Sequence, residues 1–190
     1  MKGDSRVSIL PTLIIAMACI GVIITVTGCL HLPGVAEEKI DWNLTLVGDE
    51  EKVLSFDDIK TMPSYTGRGG FFSTVGMKYG PFKCKGVPIE YLCDLVGGID
   101  ESSTIWISAP DGYMMVFDYD QIKCDFNTFD PEDLKEVPHG DLKLILTYEQ
   151  DGELIPENDG GPFRVSIVGK EDLLTEGSYW VKWVDRIEIK

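Results

Sequence analysis

The sequence is poor in histidine, in cysteine and in basic residues. Its 190 residues include 2 His and 5 Cys, and neither a Cys-x-x-Cys nor a His-x-x-x-His spacing occurs. This argues against a dedicated zinc module, which needs closely spaced ligands. The 17 Lys and Arg stand against 32 Asp and Glu, which gives a formal charge of −15. A nucleic-acid partner is excluded on this ground, because phosphate binding needs a positive field.

Internal repeats and low-complexity segments are also missing. The chain is too short for two ordinary domains, and its residues are 44% hydrophobic and 10% aromatic. This composition is typical of one globular domain with a real core.

Charge is absent from residues 7–30, which follow a short head carrying Lys2 and Arg6. An apolar stretch of about 20 residues indicates an export signal or a membrane span. The stretch ends in Val26-Thr27-Gly28-Cys29, which resembles a bacterial or archaeal lipobox, in which cleavage leaves Cys29 as the lipid-bearing first residue. The alternative is an uncleaved anchor in which Cys29 is an ordinary apolar residue.

Both alternatives predict the same organisation of the chain. Residues 1–29 are a signal peptide with a lipobox or a membrane anchor, residues 30–38 are a tether, and residues 39–190 are the exported domain. The basic head stays inside, so the domain is expected at the cell membrane, facing outside the cytoplasm. Without residues 1–36 the chain keeps 15 basic and 31 acidic residues, so the domain itself is acidic.

Cysteines cannot form the framework of this domain. After position 29 only Cys84, Cys93 and Cys124 remain, an odd number that allows at most one internal disulfide. The hydrophobic core is therefore expected to hold the fold together.

The apolar pattern predicts short strands and a few short helices. Apolar residues alternate over residues 40–46, Ser55 has the position of a hydroxyl cap for a short helix that closes before Pro63, and a second helix is expected over residues 89–96. Further strands are predicted at residues 104–108, 114–117, 142–148, 163–168 and 180–189. This pattern predicts an α+β domain built on mixed or antiparallel sheet.

Six short motifs follow one another along residues 40–190. They are Trp42-x-Leu44-x-Leu46-x-Gly48, Phe56-x-Asp58-Ile59 before Met62-Pro63, Gly86-Val87-Pro88-Ile89, Asp111-Gly112-Tyr113, Gly160-Gly161-Pro162-Phe163-Arg164 after Asp151-Gly152, and Val181-Lys182-Trp183-Val184. In this order they resemble the molybdopterin-binding domain of the sulfite oxidase family of oxidoreductases. The resemblance implies the sulfite oxidase-type fold over the whole exported domain.

The resemblance also implies a cofactor and a reaction class. The cofactor would be a pterin bearing molybdenum, held through its pterin and phosphate groups by backbone amides and basic side chains, with one cysteine thiolate on the metal. The chemistry would be a two-electron transfer of an oxygen atom or a related group. By motif, Arg164 and Lys182 would contact the cofactor, Gly160 and Gly161 would approach it closely, and Tyr113 would face the metal and substrate as the catalytic residue.

Each of these positions also has a purely structural interpretation. Gly160 and Gly161 could form only a tight turn, Arg164 and Lys182 could be solvated charges on exposed strand faces, and Tyr113 could be a packed aromatic with a wet hydroxyl. The sequence leaves these alternatives open.

The sequence departs from the family at the metal ligand. The family cysteine lies before the Gly-Val-Pro motif, in a segment that reads Phe-Phe-Ser-Thr-Val-Gly-Met at residues 71–77, so Ser73 or Thr74 takes its place. A neutral hydroxyl is a poor, hard ligand beside a soft thiolate. Cys84 is a weaker candidate for a substitute ligand, and its alternative role is that of a half-buried structural cysteine.

Residues 61–89 contain no Asp or Glu, although the domain as a whole is acidic. The segment carries Arg68, Lys78, Lys83 and Lys85, and it holds five glycines, at positions 67, 69, 70, 76 and 80. Such a loop can present amides to an anion, so we expect an anion pocket built from Arg68, Lys78 and this loop together with Arg164 and Lys182. The alternative is a flexible glycine-rich loop that avoids acids by chance.

Three functions remain in competition. The first is a membrane-tethered, molybdopterin-dependent oxidoreductase that passes electrons to an exported partner protein. The second, favoured by the missing cysteine, is a non-catalytic extracytoplasmic module that binds an anionic ligand or a protein. The third is a structural lipoprotein without a pocket.

Overall fold

The computed structural model describes residues 39–190, so the N-terminal segment, the tether and Cys29 lie outside the described residues. The α-helices of the described part are α1 (Phe56–Thr61), α2 (Ile89–Asp94) and α3 (Tyr119–Ile122), and two 3-10 helices lie at Glu157–Asp159 and Gly177–Tyr179. Its strands are β1 (Asn43–Val47), β2 (Glu51–Ser55), β3 (Tyr65–Phe72), β4 (Lys78–Pro88), β5 (Ile105–Ser108), β6 (Met114–Phe117), β7 (Thr128–Phe129), β8 (Glu136–Val137), β9 (Lys143–Gln150), β10 (Glu153–Leu154), β11 (Arg164–Val168), β12 (Leu174–Glu176) and β13 (Arg186–Ile189). From residue 39 onward, no helix is long and apolar enough to cross a membrane.

The first sheet has the strand order β2-β1-β13-β5-β6. Its centre is the parallel pair β1 and β13, in which Leu46 lies opposite Ile187, while its other pairs are antiparallel. Leu44 and Leu46 are fully buried because alternate residues of a strand face the same side. The strand predicted from the alternation over residues 40–46 is thus confirmed at Asn43–Val47.

The second sheet has the order β10-β9-β4-β3-β12-β7-β8, and β11 pairs with β9. β11 also reaches back to β3, because the Arg68 amide donates to the Gly169 carbonyl at 2.8 Å and the Gly169 amide donates to the Arg68 carbonyl at 2.9 Å. Hydrogen bonding therefore runs from β3 through β4, β9 and β11 and returns to β3. We call this arrangement the strand ring.

The core has two parts. The larger cluster includes Leu46, Phe56, Leu146 and Phe163, and it joins both sheets to the helices. A smaller cluster links β4, β9 and β11 through Cys84, Ile145 and Val168, together with Trp180. Cys84, Cys93 and Cys124 are all free thiols, so packing rather than a disulfide holds residues 39–190 together.

Two sequence-based expectations are wrong in part. Of the strand predicted over residues 180–189, only Arg186–Ile189 is a strand, because Trp183 takes a φ of 53° and interrupts the extended chain. The acid-free glycine-rich segment, predicted as a loop, forms most of the β3–β4 hairpin. Its glycines at positions 67, 69, 70 and 80 therefore lie within the strands.

Ser55 caps helix α1 as predicted. Its hydroxyl accepts from the Asp58 amide at 3.2 Å, and the Asp58 carboxylate accepts from the Ser55 amide at 2.9 Å, which completes a capping box. The Ser55 hydroxyl also donates to the Asp58 carboxylate at 2.6 Å, and this bond, together with the one from the Ser55 amide, holds the pKa of the Asp58 carboxyl below its ordinary value. The cap is therefore formed with Asp58 ionised.

Replacing Ser55 with alanine is expected to lower the melting temperature by about 2–4 °C near neutral pH. Because the folded-state pKa of Asp58 is lowered, the stabilisation exists above the unfolded pKa and is lost as the pH falls through the folded pKa. The difference between the variant and the unchanged chain should therefore shrink in acid. Thermal unfolding followed by circular dichroism measures it, with Ser178→Ala as an exposed-serine control. An undiminished difference at low pH would contradict the role of the ionised carboxylate.

Candidate functional site

The glycines of β3 allow the strand ring to close. A Cβ atom on Gly69 would lie 2.2 Å from the Ile167 carbonyl oxygen, and one on Gly67 would lie 2.8 Å from the Gly169 carbonyl oxygen. These distances leave no room for a side chain, because the backbone of the neighbouring strand occupies the space. Gly67 and Gly69 therefore approach protein backbone, not a ligand as the sequence suggested.

Arg68 and Lys78, the two cations of the β3–β4 hairpin that were expected in the pocket, already have partners. The Arg68 guanidinium binds both carboxylate oxygens of Asp172, and the Lys78 ammonium donates to the carbonyls of Pro131 and Glu132 at 2.7 and 2.9 Å. Lys78 also lies six residues along β4 from Cys84, which is roughly 20 Å of strand. Arg68 and Lys78 thus have partners of their own, whereas the expectation from the sequence joined them to Lys182 and Arg164 in one pocket.

Ser73 and Thr74 lie in the turn between β3 and β4. The Ser73 hydroxyl accepts from the Met77 amide at 3.1 Å, and the Ser73 amide donates to the Met77 carbonyl at 2.8 Å. Thr74 is exposed. The structure therefore gives Ser73 a role in the turn, at the end of the hairpin remote from Cys84.

Cys84 is completely buried, not half-buried as expected. Burial raises the pKa of its thiol to about 11, and the neighbouring Ser166 hydroxyl and the charge of Arg164 oppose this shift. The thiol is thus enclosed by the protein and has no contact with solvent. Within residues 39–190, no three His, Cys, Asp or Glu side chains lie close enough together to hold a metal ion.

Arg164, the first residue of β11, is a buried cation. Its side chain is 3% exposed, one Nη atom donates to the Gln150 Oε1 atom at 3.1 Å, and the other donates to the Asp159 carbonyl and lies 3.5 Å from the Asp159 carboxylate. The Nε atom has no partner. Burial lowers the pKa of the guanidinium, which means that the protein solvates this charge incompletely.

Lys182 and the two predicted glycines lie beside Arg164. The Lys182 ammonium is 3.7 Å from the same Asp159 carboxylate that faces Arg164, so one acid is shared by two cations. Gly160 has a φ of 90°, and a Cβ atom there would lie 2.6 Å from the Lys182 side chain. A Cβ atom on Gly161 would lie 1.9 Å from the Ile155 carbonyl oxygen. The structure therefore brings together four of the residues predicted from the motifs, namely Arg164, Lys182, Gly160 and Gly161.

Two further residues complete this site. Trp183 donates its backbone amide to the Gly160 carbonyl at 2.9 Å and its indole N–H to the Glu157 carbonyl at 2.7 Å, which fixes its unusual backbone. Glu157, Asn158 and Trp183 line an open depression next to Lys182. The sequence analysis did not predict Asp159 as a site residue. Its place directly before Gly160 and Gly161 is the sequence feature that could have indicated it.

Tyr113 lies in the turn between β5 and β6 and is 44% exposed. Its hydroxyl donates to the Ser178 carbonyl at 2.9 Å, in the short turn that precedes Trp180. The hydroxyl is therefore engaged by the main chain.

Two buried hydroxyls extend the polar surroundings of Arg164. Thr147 lies directly opposite Arg164 in the β9–β11 pair, and Ser166 follows two residues along the same face. Neither hydroxyl has a hydrogen-bond partner of good geometry. Unpaired buried donors of this kind call for a water or a ligand group that accepts from them.

The family model of the oxidoreductase molybdopterin-binding domain matches residues 31–190. The chain belongs to this family. Among solved structures, the sulfane dehydrogenase SoxCD from Paracoccus pantotrophus resembles it with a TM-score of 0.61 at 20% identity, over 80% of this chain and 39% of the SoxCD chain. The sulfite oxidase-type fold expected from the motifs is thus confirmed. No curated protein matches the sequence.

The residues present fit only part of the molybdopterin cofactor that the family implies. Arg164, with its free Nε donor, and Lys182 suit an anionic group such as the cofactor phosphate. The Cys84 thiol, which the charge of Arg164 influences, is completely buried, and Ser73 belongs to a turn. Among residues 39–190, Arg164 and Lys182 can therefore contact an anion, and all three cysteines are free thiols.

Proposed function

We propose that this protein is a membrane-tethered, extracytoplasmic member of the family that binds a molybdopterin cofactor through its anionic groups, without a cysteine ligand to the metal. Arg164 and Lys182 bind the phosphate group, and the Gly160-Gly161 segment positions the Lys182 side chain. Ser73 or Thr74 takes the place of the family cysteine in the sequence only, and neither is proposed as a ligand of the metal.

The observation that carries the proposal is the incomplete pairing of Arg164. A buried donor without a partner costs about 1–3 kcal/mol, and a phosphate oxygen is an acceptor that recovers this loss. Arg164 also shares its acidic partner with Lys182, so the pair retains positive charge for an anion. The open depression beside Trp183 gives a ligand a route from solvent to Lys182.

The tether is supported by the sequence of residues 1–38. The uncharged stretch over residues 7–30 and the lipobox-like end at Cys29 both favour a domain outside the cytoplasm. Flotation of the full chain with phospholipid vesicles tests this part of the proposal.

Replacing Arg164 with glutamine is expected to lower bound pterin about 10-fold to 100-fold, because charge-assisted hydrogen bonds contribute about 1.5–3 kcal/mol. The full chain is purified from a host that synthesises molybdopterin, and pterin is measured by its fluorescence after oxidation, with molybdenum measured in parallel. Arg186→Gln is the matched control, because Arg186 pairs with Glu188 on β13. Equal pterin in both variants, or none in the unchanged chain, would count against the proposal.

The burial of Cys84 favours a second candidate, a non-catalytic module that binds a smaller anion. In that case the purified chain contains no pterin, yet it binds inorganic phosphate, and Arg164→Gln abolishes this binding. An exported electron-transfer partner belongs only to the first candidate, since electron transfer requires a bound redox group.

A further inference from the structure

The turn of the β3–β4 hairpin presents apolar side chains to solvent. Val75 is 79% exposed and Met77 is 55% exposed, values that are among the highest of the large apolar residues in the described domain. We call residues 73–77 the hairpin tip. The tip is a defined structure, because the Gly76 amide donates to the Ser73 carbonyl at 2.8 Å and the Ser73 hydroxyl accepts from the Met77 amide.

Aromatic rings hold the base of the hairpin tip. Phe71 stacks on Tyr79 at 4.8 Å and contacts Trp180 at 5.1 Å, while Phe72 meets Phe129 edge to face at 5.0 Å. Trp180 is part of the buried core, so these contacts tie the stem to the body of the domain. The exposed side chains of the tip are thus held away from the core on a rigid support.

The hairpin tip carries no charge in a strongly acidic domain. Residues 73–77 contain no Asp, Glu, Lys or Arg. The ammonium of the next residue, Lys78, is turned back onto the carbonyls of Pro131 and Glu132. Val75 and Met77 are thus exposed together on a turn without charge, which favours contact with an apolar partner.

We infer that the hairpin tip inserts into the surface of the phospholipid bilayer that holds the N-terminal segment. This inference depends on the proposed tether. Residues 31–38 separate the apolar stretch from the described domain, and eight extended residues span at most about 28 Å. The domain therefore stays close to the bilayer, where Val75 and Met77 can bury their side chains. Tyr79, at 39% exposure, has the apolar ring and polar hydroxyl typical of the membrane interface.

The test places a fluorescent side chain at the tip of the full chain. Val75→Trp is reconstituted in phosphatidylcholine vesicles with brominated acyl chains, and its fluorescence is compared with that of the unchanged chain. Roughly half of the added fluorescence should be quenched, since interfacial groups insert about 5–10 Å. Val53→Trp is the matched control, because Val53 on β2 is an exposed valine (60%) in the other sheet. Its fluorescence should be unchanged.

Three results would overturn the inference. A chain that fails to float with the vesicles overturns both the tether and the tip contact. A chain that floats, with the added fluorescence of Val75→Trp quenched no more than that of Val53→Trp, overturns the tip contact alone and leaves the tether standing. Concentration-dependent burial of the tryptophan introduced by Val75→Trp, in detergent without vesicles, shows that a second copy covers the tip. Met77→Trp repeats the measurement if Val75→Trp fails to fold.

Discussion

Replacing Gly69 with alanine is expected to lower the free energy of unfolding by about 3 kcal/mol or more, at or above the upper end of the usual cost of overpacking. The added Cβ atom would lie 2.2 Å from the Ile167 carbonyl oxygen. That oxygen belongs to the backbone of β11, so it cannot move aside as the end of a flexible side chain can. The strand ring must therefore open or shift at the contact between β3 and β11.

Chemical denaturation of the full chain, followed by circular dichroism, measures this loss. Gly140→Ala is the matched control, because no heavy atom lies within 4 Å of the Cβ position there. The control should retain the stability of the unchanged chain. A Gly69→Ala variant as stable as Gly140→Ala would show that β3 does not need a glycine to meet β11.

Replacing Phe163 with alanine is expected to cost about 3–5 kcal/mol. The Phe163 side chain is completely buried, and its ring stacks on that of Phe56 at 5.4 Å. The substitution leaves a cavity between α1 and the segment that leads into β11. Because Arg164 follows directly, the same cavity is expected to loosen the guanidinium and lower anion binding as well.

Phe163→Leu is the graded control for this prediction, since it keeps most of the apolar volume and should cost markedly less. Val53→Ala, which truncates an exposed side chain, should leave stability unchanged. Denaturant midpoints rank the four proteins. A Phe163→Ala variant that matches Val53→Ala in stability would contradict the assigned packing role.

The alternation of apolar residues was enough to predict the elements that fold locally. The β1 strand, the cap of α1 and the β5–β6 hairpin depend on neighbouring residues, and all three are confirmed. The resemblance of the motifs likewise predicted that Arg164 and Lys182 belong to one site. In the structure they lie together beside Gly160 and Gly161.

Long-range contacts could not be predicted from the sequence. The glycines of β3 are required by β11, and Arg68 pairs with Asp172, a residue 104 positions away. The sequence shows that no Asp or Glu is close to Arg68 along the chain. It does not show that folding places the Asp172 carboxylate against Arg68. The expected anion pocket therefore joined Arg68 and Lys78 to Arg164 and Lys182, although Arg68 and Lys78 have partners of their own.

The position of β13 has a consequence for the order of folding. This strand, made of residues 186–189, lies in the centre of the first sheet, parallel to β1 and hydrogen-bonded to β5 on its other side. Neither β1 nor β5 has its inner neighbour until β13 is available, and such non-local pairing is slow to form. During synthesis β1 and β5 would emerge before β13, the strand that joins them. We therefore expect the first sheet to be completed only after β13 has been synthesised.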